Sequence, residues 1–455
     1  VAVLPFVNMS ADQDNEFLAD GITEDLVTAL SQVKGLHVPA RTSSFVFKGK
    51  TEDIRRVGRA LNVSAVVEGS VQKCGGRLRV TAQLVKASDG FHLWSGRFDR
   101  EFQDVFVMQD DITRSIVKAL QGELNLGVEK PLVKPQTANT EAYQLYLKGR
   151  EFWNERGGGL EKALRYFELA LLDDPDYPLA LTGLADTQVL RAFYALAPAG
   201  EVLGKAKQAA RKALSIDPGL AEAHSSLGML QLVYDRDLPG SESSFLRAME
   251  LNPNYVPARY WYGMLLGAMG REKEALEQNE MAIELDPLGP VSHSMLAWNH
   301  LLHLHCEEAV KSASRTLELR PDWIVAKWVL GQSLCLMDDL PAAVKELEEA
   351  VEMSRRNSLL LATLAWAYAK ADRRDRALEL LDELSAPEHV RLAPKVFMGL
   401  ARGAMGDDDR AIELVEAACR EGEVWVPWLP TPRGSKDLSS PPQASELLRR
   451  ITGGR

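Results

Sequence analysis

The chain has 455 residues, 64 acidic against 53 basic side chains and a net charge of -11, with 46% hydrophobic and 26% charged residues. That balance belongs to a globular chain of more than one domain, and its acidity argues against a dedicated nucleic-acid binder, which carries a basic patch. Four cysteines, Cys74, Cys306, Cys335 and Cys419, have no CxxC spacing and suit neither a disulfide framework nor a zinc site.

Residues 1–7 (VAVLPFV) are an apolar run that reads as a buried strand. The chain opens inside this run without an initiator methionine, so it is expected to be the C-terminal part of a longer protein. Helical spacing covers 16–33 through Phe17, Leu18, Ile22, Leu26, Val27 and Leu30. A short strand is expected over 36–40 and a helix over 52–61, with Thr51 as its N-cap. Runs 64–73 and 77–86 flank Gly75-Gly76, a hairpin signal, and a third strand spans 91–98. A helix over 104–124 closes the block. The order β-α-β-α-β-β-β-α predicts an α/β domain with a mixed sheet over 1–127.

Residues 128–140 (VEKPLVKPQTANT) read as a linker, expected to be open to cleavage that separates the blocks on either side. Beyond it the pattern is all helical. Pro175, Pro218, Pro253, Pro287 and Pro321 each follow an apolar-periodic helix, in the contexts DDPDY, IDPGL, LNPNY, LDPLG and LRPDW. The last three intervals are 35, 34 and 34 residues. A period of about 34 residues is that of the tetratricopeptide repeat. Small residues recur in register: Ala163, Ala206, Ser241, Ala275, Ala309 and Ala343 in the second helix of each unit, Gly228, Gly263, Ala297 and Gly331 in the first. The longer gap before Pro218 implies an insertion near 192–200. An all-α solenoid of about eight helix pairs is expected over 141–426, with a degenerate cap or tail over 427–455. The longest apolar run, 359–369, falls short of the about 20 residues of a membrane span.

The first block resembles the TolB-like amino-terminal domain of bacterial multidomain signalling proteins. The stretches that carry this are VAVLPFVNMS (1–10), EFLADGITEDLVTAL (16–30), RTSSFVFKGK (41–50), VGRALNVSAVVEGSV (57–71), RLRVTAQLVKASDGFHLWSGRFDRE (77–101) and FVMQDDITRSIVKAL (106–120). Residues 141–177 resemble the first repeat that follows this domain in the same proteins. The resemblance implies an upstream effector, either a serine/threonine kinase, a nucleotide cyclase or a winged-helix domain, often with a membrane helix between. The chain would then be periplasmic if such a helix lies upstream, and cytoplasmic otherwise. The C-terminus, PWLPTPRGSKDLSSPPQASELLRRI (427–451), departs from the family's usual ending.

No complete catalytic motif is found. Gly49-Lys50-Thr51 ends like a phosphate-binding loop, but Ser44 stands where its first glycine should be. In the group His300, His303, His305 and Cys306, His303 and Cys306 lie three apart and on a helix could share a face and a soft metal, yet the repeat register places His300 at a packing position and His305 and Cys306 in a turn. The expectation is a non-catalytic chain without cofactor or metal.

The aromatic residues say more. In the repeat register the groove-facing positions hold Tyr260 and Met264, then Trp298, Trp328 and Gln332, then Trp366 and Lys370. Tryptophan and tyrosine dominate binding hot spots, although such rings also pack between repeats. Met264, Trp298 and Trp366 stand where carboxylate-clamping repeats carry asparagine, so an apolar or aromatic peptide fits better. The expectation is a solvent-lined groove for a protein or peptide partner, in which truncating one ring costs little stability. The two rival readings are part of a kinase or cyclase with its catalytic domain upstream, and an envelope-assembly scaffold.

Overall fold

The computed structural model describes residues 1–12, 15–33, 35–120, 133 and 136–435. The sheet follows from alternation. Strands β1 (Ala2–Val3) and β2 (Val7–Asn8) run parallel to β3 (Ala65–Cys74), which continues antiparallel into β4 (Arg77–Lys86) and β5 (His92–Glu101). Leu78, Val80, Ala82 and Leu84 of β4 are buried, while Arg77, Arg79, Thr81 and Gln83 alternate with them on the outer face. The run over 1–7 is two short strands because Pro5 has no N–H for the ladder, and the register to β3 slips by one between them. Helices α1 (Glu16–Ser31) and α4 (Val105–Leu120) cover the apolar face with Leu18, Ile22, Ile112 and Ile116.

Two local expectations are corrected. Residues 36–40 are extended but join no strand. The Ala40 N–H donates to the Leu285 carbonyl at 2.8 Å and the Leu36 carbonyl accepts from Asn254 Nδ2 at 3.0 Å, so the helical half takes a polar group at each end of the segment, while the His37 carbonyl between them accepts from the Val1 amino group at 2.6 Å. It leads into a short helix, α2 (Arg41–Phe45). The next helix, α3 (Ile54–Ala60), is capped by Asp53, whose carboxylate accepts from the Arg55 N–H at 2.9 Å, rather than by Thr51. Residues 121–124 of the helix expected over 104–124, and most of the linker 128–140, lie outside the described residues.

Among the described residues the remainder forms eight helix pairs. They are α5 (Thr140–Glu155) with α6 (Gly159–Asp173), α7 (Pro178–Phe193) with α8 (Ala199–Ile216), and α9 (Ala221–Leu230) with α10 (Leu238–Leu251). Next come α11 (Val256–Ala268) with α12 (Glu272–Leu285), α13 (Pro290–Leu302) with α14 (Cys306–Leu319), and α15 (Ile324–Leu336) with α16 (Leu340–Met353). The last are α17 (Ser358–Lys370) with α18 (Arg374–Glu383) and α19 (Lys395–Ala404) with α20 (Asp408–Glu421). Ala163, Ala206, Ser241, Ala275, Ala309 and Ala343 are all fully buried where the helices of a pair meet. A side chain at Gly331 would overlap Leu347, so close approach there requires glycine. The insertion near 192–200 is spread over two elements: α7 and α8 run to 16 and 18 residues, against 13 and 14 in α11 and α12.

The α/β block and the first repeat share one core. Phe106 of α4 meets the Tyr143 ring edge-on at 4.9 Å, and Leu147 of α5 packs directly over Gly21 of α1, where a side chain would overlap it. Further along, Asn252 Nδ2 donates to Ser31 Oγ at 2.8 Å. The Asp286 carboxylate accepts from Thr42 Oγ1 at 2.6 Å and from the Ser43 N–H and hydroxyl at 3.0 and 2.6 Å. Asn252 and Asp286 precede the repeat prolines Pro253 and Pro287, so the turns between repeats are also docking points for the first block.

Candidate functional site

The first helices of the later pairs turn one face to a common groove, and the aromatic residues meet there. Trp298 of α13 stacks on Trp328 of α15 with centroids 5.1 Å apart and planes 15° apart. Trp328 Nε1 donates to Thr363 Oγ1 of α17 at 2.8 Å, which fixes the ring. Gln332 lies one turn beyond Trp328 and is fully buried, as is Trp366. Tyr260 and Met264 extend the face on α11, and Lys370 ends α17 at its half-exposed margin. Of the predicted residues, the structure stacks Trp298 directly on Trp328 across neighbouring repeats.

Their expected exposure is corrected. Trp298 and Trp328 are each only 5% exposed and Trp366 is 0% exposed. The groove is not solvent-lined because the chain's own C-terminal segment fills it. Helix α20 stops at Gly422, whose φ of +69° turns the chain back. Glu423 then caps α19, accepting from the N–H groups of Lys395 at 2.8 Å and Val396 at 3.2 Å. Burial pushes its carboxyl up to about 7 against those two bonds. Arg236 Nη2 donates to the Glu423 carbonyl at 2.6 Å.

From there Val424, Trp425, Val426, Trp428, Leu429 and Arg433 are all buried. The Trp425 ring lies 5.7 Å from Trp298, 5.4 Å from Trp328, 5.5 Å from Phe397 and 5.2 Å from Phe193. Trp428 Nε1 donates to the Met264 carbonyl at 3.0 Å. Arg433 Nη2 donates to Gln332 Oε1 at 3.1 Å, and the guanidinium sits 4.3 Å from the centre of the Trp366 ring. A cavity of about 30 Å³ remains between the segment and the groove wall, lined by Trp298, Gln332, Phe397, Trp425, Trp428 and Arg433 among others. Of the tail expected over 427–455, residues 436–455 lie outside the described residues.

Sequence reasoning missed this occupant, although a signal was present. VWVPWLPTPR (424–433) interleaves apolar rings with prolines, which neither continue a helix nor suit an exposed tail. The docking of the first block was missed as well. Tyr177, Leu220, Tyr255 and Trp323 stand two residues past their prolines, but Gly289 occupies that place after Pro287. A Cβ at Gly289 would collide with the Asp286 carboxylate that holds Thr42 and Ser43.

A second polar cluster lies where α1 meets α5. Glu24 pairs with Arg150 at 2.6 Å and Arg41 at 3.0 Å. Burial opposes its charge, but the two guanidinium groups outweigh it and hold its pKa below the ordinary value. Its neighbour Asp25 accepts from Tyr143 Oη and, at 2.8 Å, from Gln109 Nε2. Burial pushes its carboxyl up to about 7, outweighing the bonds from Tyr143 and Gln109 and the charge of Arg150. The histidine group resolves into a turn: α13 ends before His303, Leu304 is left-handed, and His303 and His305 approach Glu272 at 3.7 and 3.4 Å. Among the described residues no group of three or more His, Cys, Asp and Glu side chains is placed to hold a metal, and no helix is long and apolar enough to cross a membrane.

Residues 244–277 match the family described as tetratricopeptide repeat. The helical half is a tetratricopeptide-repeat solenoid. Residues 1–115 match the second domain of HilA/YgeH-like transcriptional regulators. Over 232 residues the chain is 38% identical to putative adenylate cyclase 3 of Rhizobium meliloti (strain 1021), covering 51% of this chain and 32% of that protein. Over 316 residues it is 22% identical to transcriptional regulator HilA of Salmonella typhimurium, covering 68% of this chain and 55% of that protein. The chain therefore spans about a third to just over half of these relatives. Similar solved structures include a thermophilic repeat protein of Thermus thermophilus at TM-score 0.36 and 22% identity, covering 42% of this chain and 98% of that one. Another is YrrB, a repeat protein with an unusual peptide-binding site, at TM-score 0.27 and 22% identity, covering 47% of this chain and 95% of that one.

Proposed function

We propose that this chain is the protein-interaction and sensing region of a bacterial signalling protein, and that it takes a peptide or protein segment in the groove formed by Tyr260, Met264, Trp298, Trp328, Gln332, Trp366 and Lys370. The observation that carries this reading is the seating of residues 424–433 on that face. An irregular, proline-containing segment is held there by ring packing, by one bond to a main-chain carbonyl and by one arginine. Those are the means by which a groove holds a linear segment. The chemistry is binding only, and no covalent step or cofactor enters it.

In this reading residues 1–127, with their TolB-like stretches, are an adaptor beside an effector, and 128–140 link them to the repeats over 141–426. The identity with a putative adenylate cyclase supports a cyclase as that effector in the parent protein. A test of the groove is to pan a random peptide library against the full chain carrying Gly434→Ala, a change that disturbs the seated segment. Selected peptides are expected to lose about tenfold or more in affinity when Gln332→Leu is added. Binders indifferent to Gln332→Leu would place the interaction surface elsewhere. The chain itself should show no cyclase, kinase or nucleotide-hydrolysing turnover, and turnover abolished by Lys50→Ala would overturn that part.

A further inference from the structure

The groove is complete in its chemistry and already full. Its occupant reaches it from a single hinge-like point, Gly422, and crosses first helices from α7 to α17 without joining the repeat pattern. Repeat packing alone asks for none of this, because a terminal unit is capped by a polar outer face rather than by tryptophans sent back into the interior. The contacts are also spaced like a recognition motif. Trp425 enters the ring cluster of Trp298, Trp328 and Phe397, and Trp428 follows three residues later to reach the Met264 carbonyl. Leu429 is buried beside it, and Arg433 reaches Gln332 and Trp366 four residues further on. The far end is pinned by a tight turn, in which Thr431 Oγ1 donates to the Trp428 carbonyl at 2.7 Å and the Gly434 N–H donates to Thr431 Oγ1 at 3.2 Å. A Cβ at Gly434 would run into the Trp428 carbonyl and the Leu429 backbone.

We propose that residues 424–434 are an internal ligand of the repeat groove, displaced by a partner segment of the same chemistry: two aromatic rings three residues apart, an adjacent leucine, and an arginine four residues beyond it. The proposal rests on the groove reading above and adds both the partner's pattern and the regulation. The partner competes with the tail, so binding of the partner and release of 424–434 are one event. The strength of the internal contact sets the threshold, since a locally tethered segment acts at a high effective concentration.

The test uses a fluorescein-labelled peptide of residues 423–435 and the full chain. By anisotropy the peptide should bind Gly434→Ala at least about tenfold more tightly than the intact chain. A peptide with serine at both tryptophan positions should lose binding to the variant. Equal affinity for intact chain and variant overturns the internal competition while leaving the groove reading standing. No binding to a variant that still unfolds cooperatively overturns the proposal, and the library result then decides the groove reading separately. Should Gly434→Ala fail to fold, hydrogen exchange of the intact chain serves instead. Excess peptide should speed exchange across 424–434, and unchanged exchange at the highest soluble peptide concentration overturns the proposal.

Discussion

A tryptophan that lines a groove and one that fills a core read alike in sequence, and Trp366 shows why the difference matters. Its place in the repeat register was legible, but its burial was not, because the covering group is Arg433, 67 residues away. Trp366→Ala is therefore expected to cost about 3–5 kcal/mol in urea unfolding, as a truncated buried tryptophan does. A loss below about 1 kcal/mol would mean that the tail leaves the ring in solution. Asp25 makes the same point for charge. Its carboxyl moves from 3.8 to about 7 through burial, so from pH 4 to 7 the native state keeps a proton that the unfolded chain has released. Stability from this site is complete below the unfolded value and falls as pH rises through that window. Asp25→Asn still accepts from Tyr143 and Gln109 but cannot ionise. The variant should gain on the wild type between pH 4 and 7, by an amount on the order of 2–4 kcal/mol, and the difference should level off above that. A pH-independent difference would show that Asp25 titrates normally.

At the scale of elements, local pattern sufficed wherever the partner was also local. The hairpin at Gly75-Gly76 and the proline-spaced helix pairs depend on contacts within about one repeat, and their residues announce them. Residues 36–40 had the composition of a strand, and what they lacked was a free strand edge. The Leu285 carbonyl and Asn254 supplied other partners, and neither is visible from LHVPA. Asp286 holds this junction from the repeat side, with Thr42, Ser43 and Ser292 around one buried carboxylate. Asp286→Ala removes the acceptor and strands the buried Ser43 N–H, at a cost of about 1–3 kcal/mol. The loss should be directional: hydrogen exchange should rise across 36–47 more than within α13. Equal protection in both segments would mean that the junction is held by its apolar contacts alone.

For the whole molecule, composition separated an α/β block from a repeat array, and the proline-rich stretch between them suggested two independent bodies. Composition cannot report that the inner face of one block is the outer face of the other. Leu18, Ile22 and Leu26 of α1, Ile116 of α4, and Tyr143 and Leu147 of α5 belong to one continuous apolar core, and the Glu24 pair with Arg150 is buried along its margin. Removing Glu24 takes from Arg150 the carboxylate that balances its buried charge, which costs about 3–5 kcal/mol, whereas removing Arg150 costs less because Arg41 still pairs with Glu24 at 3.0 Å. Each block cut away from the other would also have to expose α1, α4 or α5 to water along an apolar face. Proteolysis between residues 121 and 135 is therefore expected to nick the chain without dividing the protein. The two pieces should elute together on gel filtration and unfold in a single transition at the midpoint of the intact chain or slightly below it. Raising salt should not release them, because the contact is mostly apolar and the ion pairs within it are shielded from solvent. Separate elution of two fragments, each with its own cooperative transition, would show that the core divides at the linker and that the first block is a mobile adaptor rather than a fixed part of the solenoid.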